Sequence, residues 1–294
     1  MHPQIDVLIP TYKGFNFITD TLDSIRVQSY PNIKVLISID GKDDNTYNLL
    51  TNWFGKNEDI SHEIFHQHDR TGWIRNINFL LNYSSSDYLA ILPHDDIILP
   101  EYYSQLYQSL LSHPNAIVSF TDIQGFGLYQ KKVTQSAITG PKEDRVTDFI
   151  TNHYVSVLFR GLIARNRVKA IPALRPNLIN DFAADSIWGL GLILKGSAIR
   201  IPDVLYRKRY HAHNTHWEWN QWGLRKRIYA WTMHCKECFD ILRDEYGISM
   251  AKELFNEAIM DRLFQKRKTL WSLPYYRINQ ELRVKMKNRV FNLK

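Results

Sequence analysis

Residues 71–100 read TGWIRNINFLLNYSSSDYLAILPHDDIILP. From Trp73 to Tyr83 the apolar residues recur at helical spacing, the Ser-rich break at 84–87 ends that pattern, and Tyr88 to Leu92 is an apolar run of strand length. A helix feeding a buried strand that ends in the turn Pro93-His94-Asp95-Asp96 predicts one unit of an open α/β sheet. In such sheets ligands bind outside the carboxyl ends of the strands. Hard carboxylate oxygens placed there suit Mg²⁺ or Mn²⁺, with water and substrate phosphates as the remaining ligands. The same turn also fits a plain acidic cap ahead of a helix beginning near Pro100, because Asp is common in turns and Pro in a first helical turn.

Outward from this stretch the pattern repeats. Strand-like runs at Val7 to Ile9, Val35 to Ile39, Glu63 to Phe65, Tyr88 to Leu92 and Ala116 to Phe120 alternate with helix-patterned segments. The helices are expected at Phe17 to Val27, Thr46 to Phe54, Trp73 to Tyr83 and Glu101 to Ser112. This order predicts a mostly parallel, Rossmann-like sheet covered by helices on both faces. Residues 130–144 have weak periodicity and turn-forming residues, so a mobile loop is expected there. From Asn220 onward the chain reads as helical. Residues 1–216 are therefore expected to form the catalytic domain and 217–294 a helical, basic extension.

With 294 residues and 44% hydrophobic content, the chain can bury a sizeable core. The opening MHPQIDVLIPTYKG has no basic leader, and the apolar run near Ile187 to Leu194 is too short to span a bilayer, so a soluble, cytoplasmic protein is expected. Cys235 and Cys238 follow His234 at CxxC spacing on a helical segment, which reads as two reduced structural thiols more readily than as a zinc or redox pair. The formal net charge is +7, yet Arg262 to Lys294 holds ten Lys or Arg against one acid, so the rest of the chain sums to −2. That asymmetry argues against a nucleic-acid surface on the catalytic body. Ile278, Leu282, Met286 and Val290 fall along one side of a helix whose other side carries Arg283, Lys287 and Arg289. Such a helix suits the surface of an anionic membrane, giving peripheral attachment at its inner face, or packing on the catalytic body or a second subunit in an oligomer.

Four segments in this order, VLIPTYKG, ISIDGKDDNT, RTGWIRNINFLLNYSSSDYLAILPHDD and AADSIWGLGLILKGSAIRIP, resemble the family-2 glycosyltransferases of GT-A fold over residues 5 to about 216. The resemblance implies a nucleotide-diphospho-sugar donor, a divalent Mn²⁺ or Mg²⁺, and transfer to a hydroxyl of a glycan or lipid-linked acceptor in surface polysaccharide synthesis. Pro10, Thr11 and Tyr12 then lie against the nucleotide, and Asp40 takes the position whose carboxylate accepts a hydrogen bond from the base, commonly uracil. Gly72, Arg75 and Asn76 match the family's Gly and Arg-Asn helix, with Arg75 near the base or diphosphate. Asp96 is matched to the last acid of the DxD metal motif and Asp95 to the additional acid beside it. His94 takes the variable position, and Pro93 replaces the first acid. His211 matches the histidine that follows the family's YRxR-like strand and is the expected second metal ligand.

Asp185 matches the acid that serves as general base in inverting members, with Ala184 replacing its frequent acidic neighbour and Asp181 a nearby competitor. Asp also favours helix N-caps, which is the plainer reading of Asp185. Trp217, Trp219 and Trp222 form either a stacking wall for an acceptor sugar or helix packing. Two other readings compete: a noncatalytic sugar-nucleotide-binding or assembly subunit, favoured by Pro93 and Ala184, and a sugar nucleotidyltransferase, disfavoured by the absence of a Gly-rich basic loop in the sequence.

Overall fold

The structure is a computed structural model that describes residues 2–153, 157–212, 214, 218, 219 and 221–265. Its sheet is built outward from β1 (Ile5–Thr11), which pairs in parallel with β2 (Ile33–Ile39) and β4 (Tyr88–Ile91), while β3 (Ser61–His66) extends it parallel to β2. The sheet continues through β8 (Leu162–Ala164), antiparallel to β4, to β6 (Ala116–Gly127). Strand β6 runs parallel to β9 (Ser197–Tyr210), and the short β5 (Ile97–Ile98) closes the edge antiparallel to β9. The full order is β3-β2-β1-β4-β8-β6-β9-β5, with β7 (Lys132–Val133) hanging off β6. The expected α/β sheet is thus present.

Helices form where the 3.6-residue pattern supplies an apolar face. In α1 (Ile18–Arg26) Ile18, Leu22 and Ile25 are buried; in α3 (Trp73–Tyr83) Ile74, Ile77, Leu80 and Leu81 are buried. Helix α2 (Asp44–Gly55) starts at Asp43, whose side chain accepts the Thr46 N–H at 3.1 Å and so satisfies a free donor of the first turn. Helices α4 (Tyr102–Ser112), α5 (Lys142–Asn152) and α6 (Ala184–Ile193) complete the body. Helices α7 (Leu224–Tyr246) and α8 (Ile248–Gln265) follow.

Two expectations change. Residues 130–144 are stitched to the sheet: β7 pairs with β6, Lys132 lies 3.3 Å from the buried Asp122, and Ile138 is fully buried with backbone hydrogen bonds to Ala198. Asp122 also receives both nitrogens of an Arg200 fork at 2.8 and 2.9 Å, so it holds β6, β7 and β9 together. Strand β6 runs seven residues beyond the expected Phe120, because β9 lies alongside it to Gly127. A two-strand partnership of this length is invisible to local periodicity.

Cys238, Leu242, Ala251, Leu254 and Ala258 of α7 and α8 join the same hydrophobic core as the sheet, and both cysteines are free thiols. The first part of the expected extension is therefore packed on the body, whereas the basic stripe from Ile278 to Val290 lies outside the described residues. Among the described residues no helix is long and apolar enough to cross a membrane.

Candidate active site

The carboxyl ends of β1, β2, β4 and β9 converge. Beyond β1 and β2 lies a cleft of about 490 Å³ lined by Tyr12, Lys13, Asp40, Asp43, His68 and Arg70 among others. The Arg70 guanidinium covers the Tyr12 ring at 4.0 Å. Asp40, at the end of β2, is buried and accepts the Thr71 N–H at 2.6 Å and hydroxyl at 3.1 Å on one oxygen, and the Gly72 N–H at 3.0 Å on the other. Gly72 has φ +90, a conformation that only glycine adopts without strain, so the Asp-to-Gly contact explains both residues. Asp40 therefore organises the entrance of α3 and keeps one lone-pair direction for a further donor. Arg75 is exposed on α3 and does not line this cleft, whereas Arg70, Lys13 and Lys42 do. Asn76 is buried and its amide donates to the Ser38 carbonyl at 2.9 Å.

The acidic turn after β4 divides its two carboxylates. Asp96 points into the protein and is buried. One of its oxygens accepts the Tyr206 hydroxyl at 2.6 Å and Arg160 Nε at 3.2 Å, and the other accepts the Arg209 N–H at 2.8 Å. Burial and the neighbouring Asp95 charge push its pKa up, against Arg160 and Tyr206. Arg160 ends a short 3₁₀ turn (Val157–Arg160), and the Tyr102 hydroxyl donates to its carbonyl.

Asp95 turns instead to His211 and Asn214. Its Oδ2 lies 2.9 Å from His211 Nε2 and 3.2 Å from Asn214 Nδ2, and His211 stacks on Phe17 at 4.6 Å. Burial would raise the Asp95 pKa, but the His211 hydrogen bond and the charges of His94, His211 and Arg160 outweigh it and the net shift is downward. The expected metal ligand Asp96 is thus corrected: its oxygens are used inside the protein, and counting three residues from Pro93 makes Asp95 the last acid of the motif.

Among the described residues no group of three or more His, Cys, Asp or Glu is arranged to hold a metal. Two donors do converge. Adjacent ligands of a six-coordinate ion with bonds near 2.1 Å are about 3 Å apart, which the Asp95 to His211 separation of 2.9 Å matches. A carboxylate with an imidazole fits Mn²⁺ better than Mg²⁺, provided phosphates and water complete the shell. His94 turns away, its Nδ1 3.3 Å from the Pro10 carbonyl.

Asp185 sits in the first turn of α6, half-buried, and one oxygen accepts the Ser186 N–H at 2.9 Å. Burial raises its pKa, and the charges of Arg160 and Lys208 offset part of that rise. The loop before it is strained: Asn180, Asp181 and Ala183 all have positive φ, at 49, 54 and 56. Asp181 accepts the Asn177 N–H at 3.1 Å, which ties it to the turn. Trp222 is buried with Phe182, Ile179 and Trp231, and Trp219 packs on the same cluster, so these indoles are core and brace the strained loop. Trp217 lies outside the described residues.

On sequence grounds alone Arg70, Tyr206, Lys208, Arg209 and Asn214 carry no role and Arg160 no orientation. The alternation in Tyr206-Arg207-Lys208-Arg209-Tyr210 was the available signal, since neighbours on a strand face opposite sides.

Residues 6–165 match the sequence profile of Glycosyl transferase family 2. An uncharacterized glycosyltransferase of Rickettsia felis is 30% identical over 100 residues, covering 33% of this chain and 16% of that protein. The chain therefore spans a small part of that relative. Among solved structures, S. aureus TarS 1-349 in complex with UDP-GlcNAc superimposes with a TM-score of 0.66 at 13% identity, over 96% of this chain and 79% of that one. The mannosyltransferase PcManGT from Pyrobaculum calidifontis, in complex with GDP-Man and Mn²⁺, gives 0.58 at 15% identity, over 100% and 81%. At these identities the likeness is one of fold.

Proposed function

The chain belongs to glycosyl transferase family 2, and from that premise we propose that it is an inverting, metal-dependent glycosyltransferase using a nucleotide-diphosphate sugar, with UDP the leading nucleotide. The observation that carries this reading is the Asp95–His211 pair at 2.9 Å; the cleft holding Tyr12 and Asp40 and the half-buried Asp185 at the start of α6 supply the other parts. The cleft takes the base and ribose beside Pro10, Thr11 and Tyr12, with Asp40 and Gly72 shaping its floor and Arg70 taking the role expected of Arg75.

A divalent ion held by Asp95 and His211 would supply positive charge where the diphosphate leaves. The acceptor hydroxyl attacks the anomeric carbon, the bond from that carbon to the phosphate oxygen breaks with its electron pair leaving on the diphosphate, and the hydroxyl proton passes to Asp185. A base of raised pKa suits this step, because it holds an abstracted proton more firmly than an ordinary carboxylate. Calorimetry with UDP, GDP, dTDP and CDP, with and without Mn²⁺, tests the donor and metal assignments together. Binding of one diphosphate, strengthened by Mn²⁺ and losing that enhancement in His211→Ala, is expected; binding indifferent to Mn²⁺ would remove the metal from the reading.

The noncatalytic reading keeps Pro93 and Ala184 as its support, and it predicts nucleotide binding without turnover on any acceptor. The acceptor is a hydroxyl of a glycan or lipid-linked sugar, and the basic stretch to Lys294 supplies attachment to the inner face of an anionic membrane. Truncation after Pro274 is expected to abolish sedimentation with anionic liposomes. Sedimentation unchanged by that truncation would discard the role of the tail.

A further inference from the structure

Strand β9 carries more than the histidine at its end. Tyr206, Lys208 and Tyr210 share one face, because side chains two apart on a strand point the same way. Tyr206 anchors that face at the buried Asp96, and His211, just past the end of the strand, meets Asp95. Lys208 lies between them, partly buried, with its ammonium 5.1 Å from the centre of the Tyr210 ring. Arg207 and Arg209 point the other way and flank Phe126 at 4.8 and 4.6 Å.

The charges around Lys208 come from three other elements. Asp95 and Asp96 face it from the turn after β4, Asp185 from α6 and Arg160 from the 3₁₀ turn, all acting through space rather than through hydrogen bonds. Arg160 is bonded to Asp96 at 3.2 Å and Arg209 to Asp20 at 2.6 Å. Among the described residues, Lys208 is the one of these three cations that no carboxylate holds in an ion pair. Its charge is felt by Asp95 and Asp96 on one side and Asp185 on the other, and along β9 it falls between Tyr206, bonded to Asp96, and His211, bonded to Asp95.

We propose that Lys208 is a phosphate-binding cation of the donor site, its ammonium docking on the diphosphate beside the Asp95–His211 pair. The inference rests on the nucleotide-sugar reading given above. Three carboxylates against the charges of Arg160 and Lys208 leave the site negative, and a dianionic diphosphate entering it needs every cation available. Burial first, and Arg160 second, lower the Lys208 pKa to about 8. An ammonium held at such a cost is better stabilised once a phosphate replaces its lost water.

The test uses calorimetry on the full chain in excess Mn²⁺, with UDP and uridine as paired probes against wild type, Lys208→Met and Lys208→Arg. UDP affinity should fall roughly ten- to a hundredfold in Lys208→Met, the range for one charge-assisted hydrogen bond. Uridine affinity should stay within about twofold, and Lys208→Arg should recover most of the UDP binding. Equal losses for UDP and uridine would mean that Lys208 merely shapes the fold, and an unchanged UDP affinity would leave it no contact with phosphate; either overturns the proposal. A thermal melt matching wild type keeps the comparison fair. If wild type binds UDP no better than uridine, Lys208 has no phosphate role; if it binds neither these nor any other nucleoside and its diphosphate, the donor reading itself fails and the proposal with it.

Discussion

An Asp185→Asn variant is expected to keep donor binding and to lose turnover by about 10²–10⁴-fold, the usual worth of a positioned general base. The amide has nearly the shape of the carboxylate, so the Ser186 N–H contact at 2.9 Å and the start of α6 should survive. What disappears is the group that accepts the acceptor's proton as the new bond forms. The pH profile adds a second readout. Because burial raises the Asp185 pKa, turnover of the wild type should fall on acidification at a pH above the ordinary carboxylate value of 3.8, as the base becomes protonated. Asp185→Asn should lose that acidic limb. Unchanged turnover in the variant would remove Asp185 from catalysis and leave it as a helix-terminal residue.

Replacing Arg160 by Met should cost about 3–5 kcal/mol of stability, because it strands a buried carboxylate without its cation. Asp96 is 1% exposed, and among the described residues the Arg160 Nε contact at 3.2 Å is its one bond to a charged side chain; its other donors there are a Tyr hydroxyl and a backbone N–H. For a chain of this size that loss corresponds to a fall in Tm of roughly 10 °C. Urea titration of the same variant would give the free energy directly. Combining Arg160→Met with Asp96→Asn should recover part of the stability, since the stranded charge is then gone while the amide oxygen still accepts from Arg209. A single variant melting with the wild type would mean that the Arg160–Asp96 pair adds nothing to the fold.

These two carboxylates show why neighbouring acids were not separable by eye. Asp95 and Asp96 are adjacent in a turn, both fit a metal motif, and Asp96 was the expected ligand. Its oxygens are consumed by Tyr206, Arg160 and Arg209, which lie 64 to 113 residues away in the chain. Arg70 and Arg75 pose the same difficulty: both flank the entrance of α3, and it is Arg70, not the expected Arg75, that covers Tyr12, which depends on how the loop folds over β1. Asp40, Gly72, Asp185 and His211, which the resemblance to the family singled out, stand at strand ends and helix starts.

The alternating strands and helices from β1 to α4, and the strand ends where acids collect, are legible in local periodicity, because two- and 3.6-residue repeats are properties of short segments. The reach of β6 beside β9, the anchoring of residues 130–144, and the division of Asp95 toward His211 from Asp96 toward Arg160 arise from long-range packing. Those outcomes depend on strands that return from far along the chain, and the energy of burying a charge is set by the partners they bring.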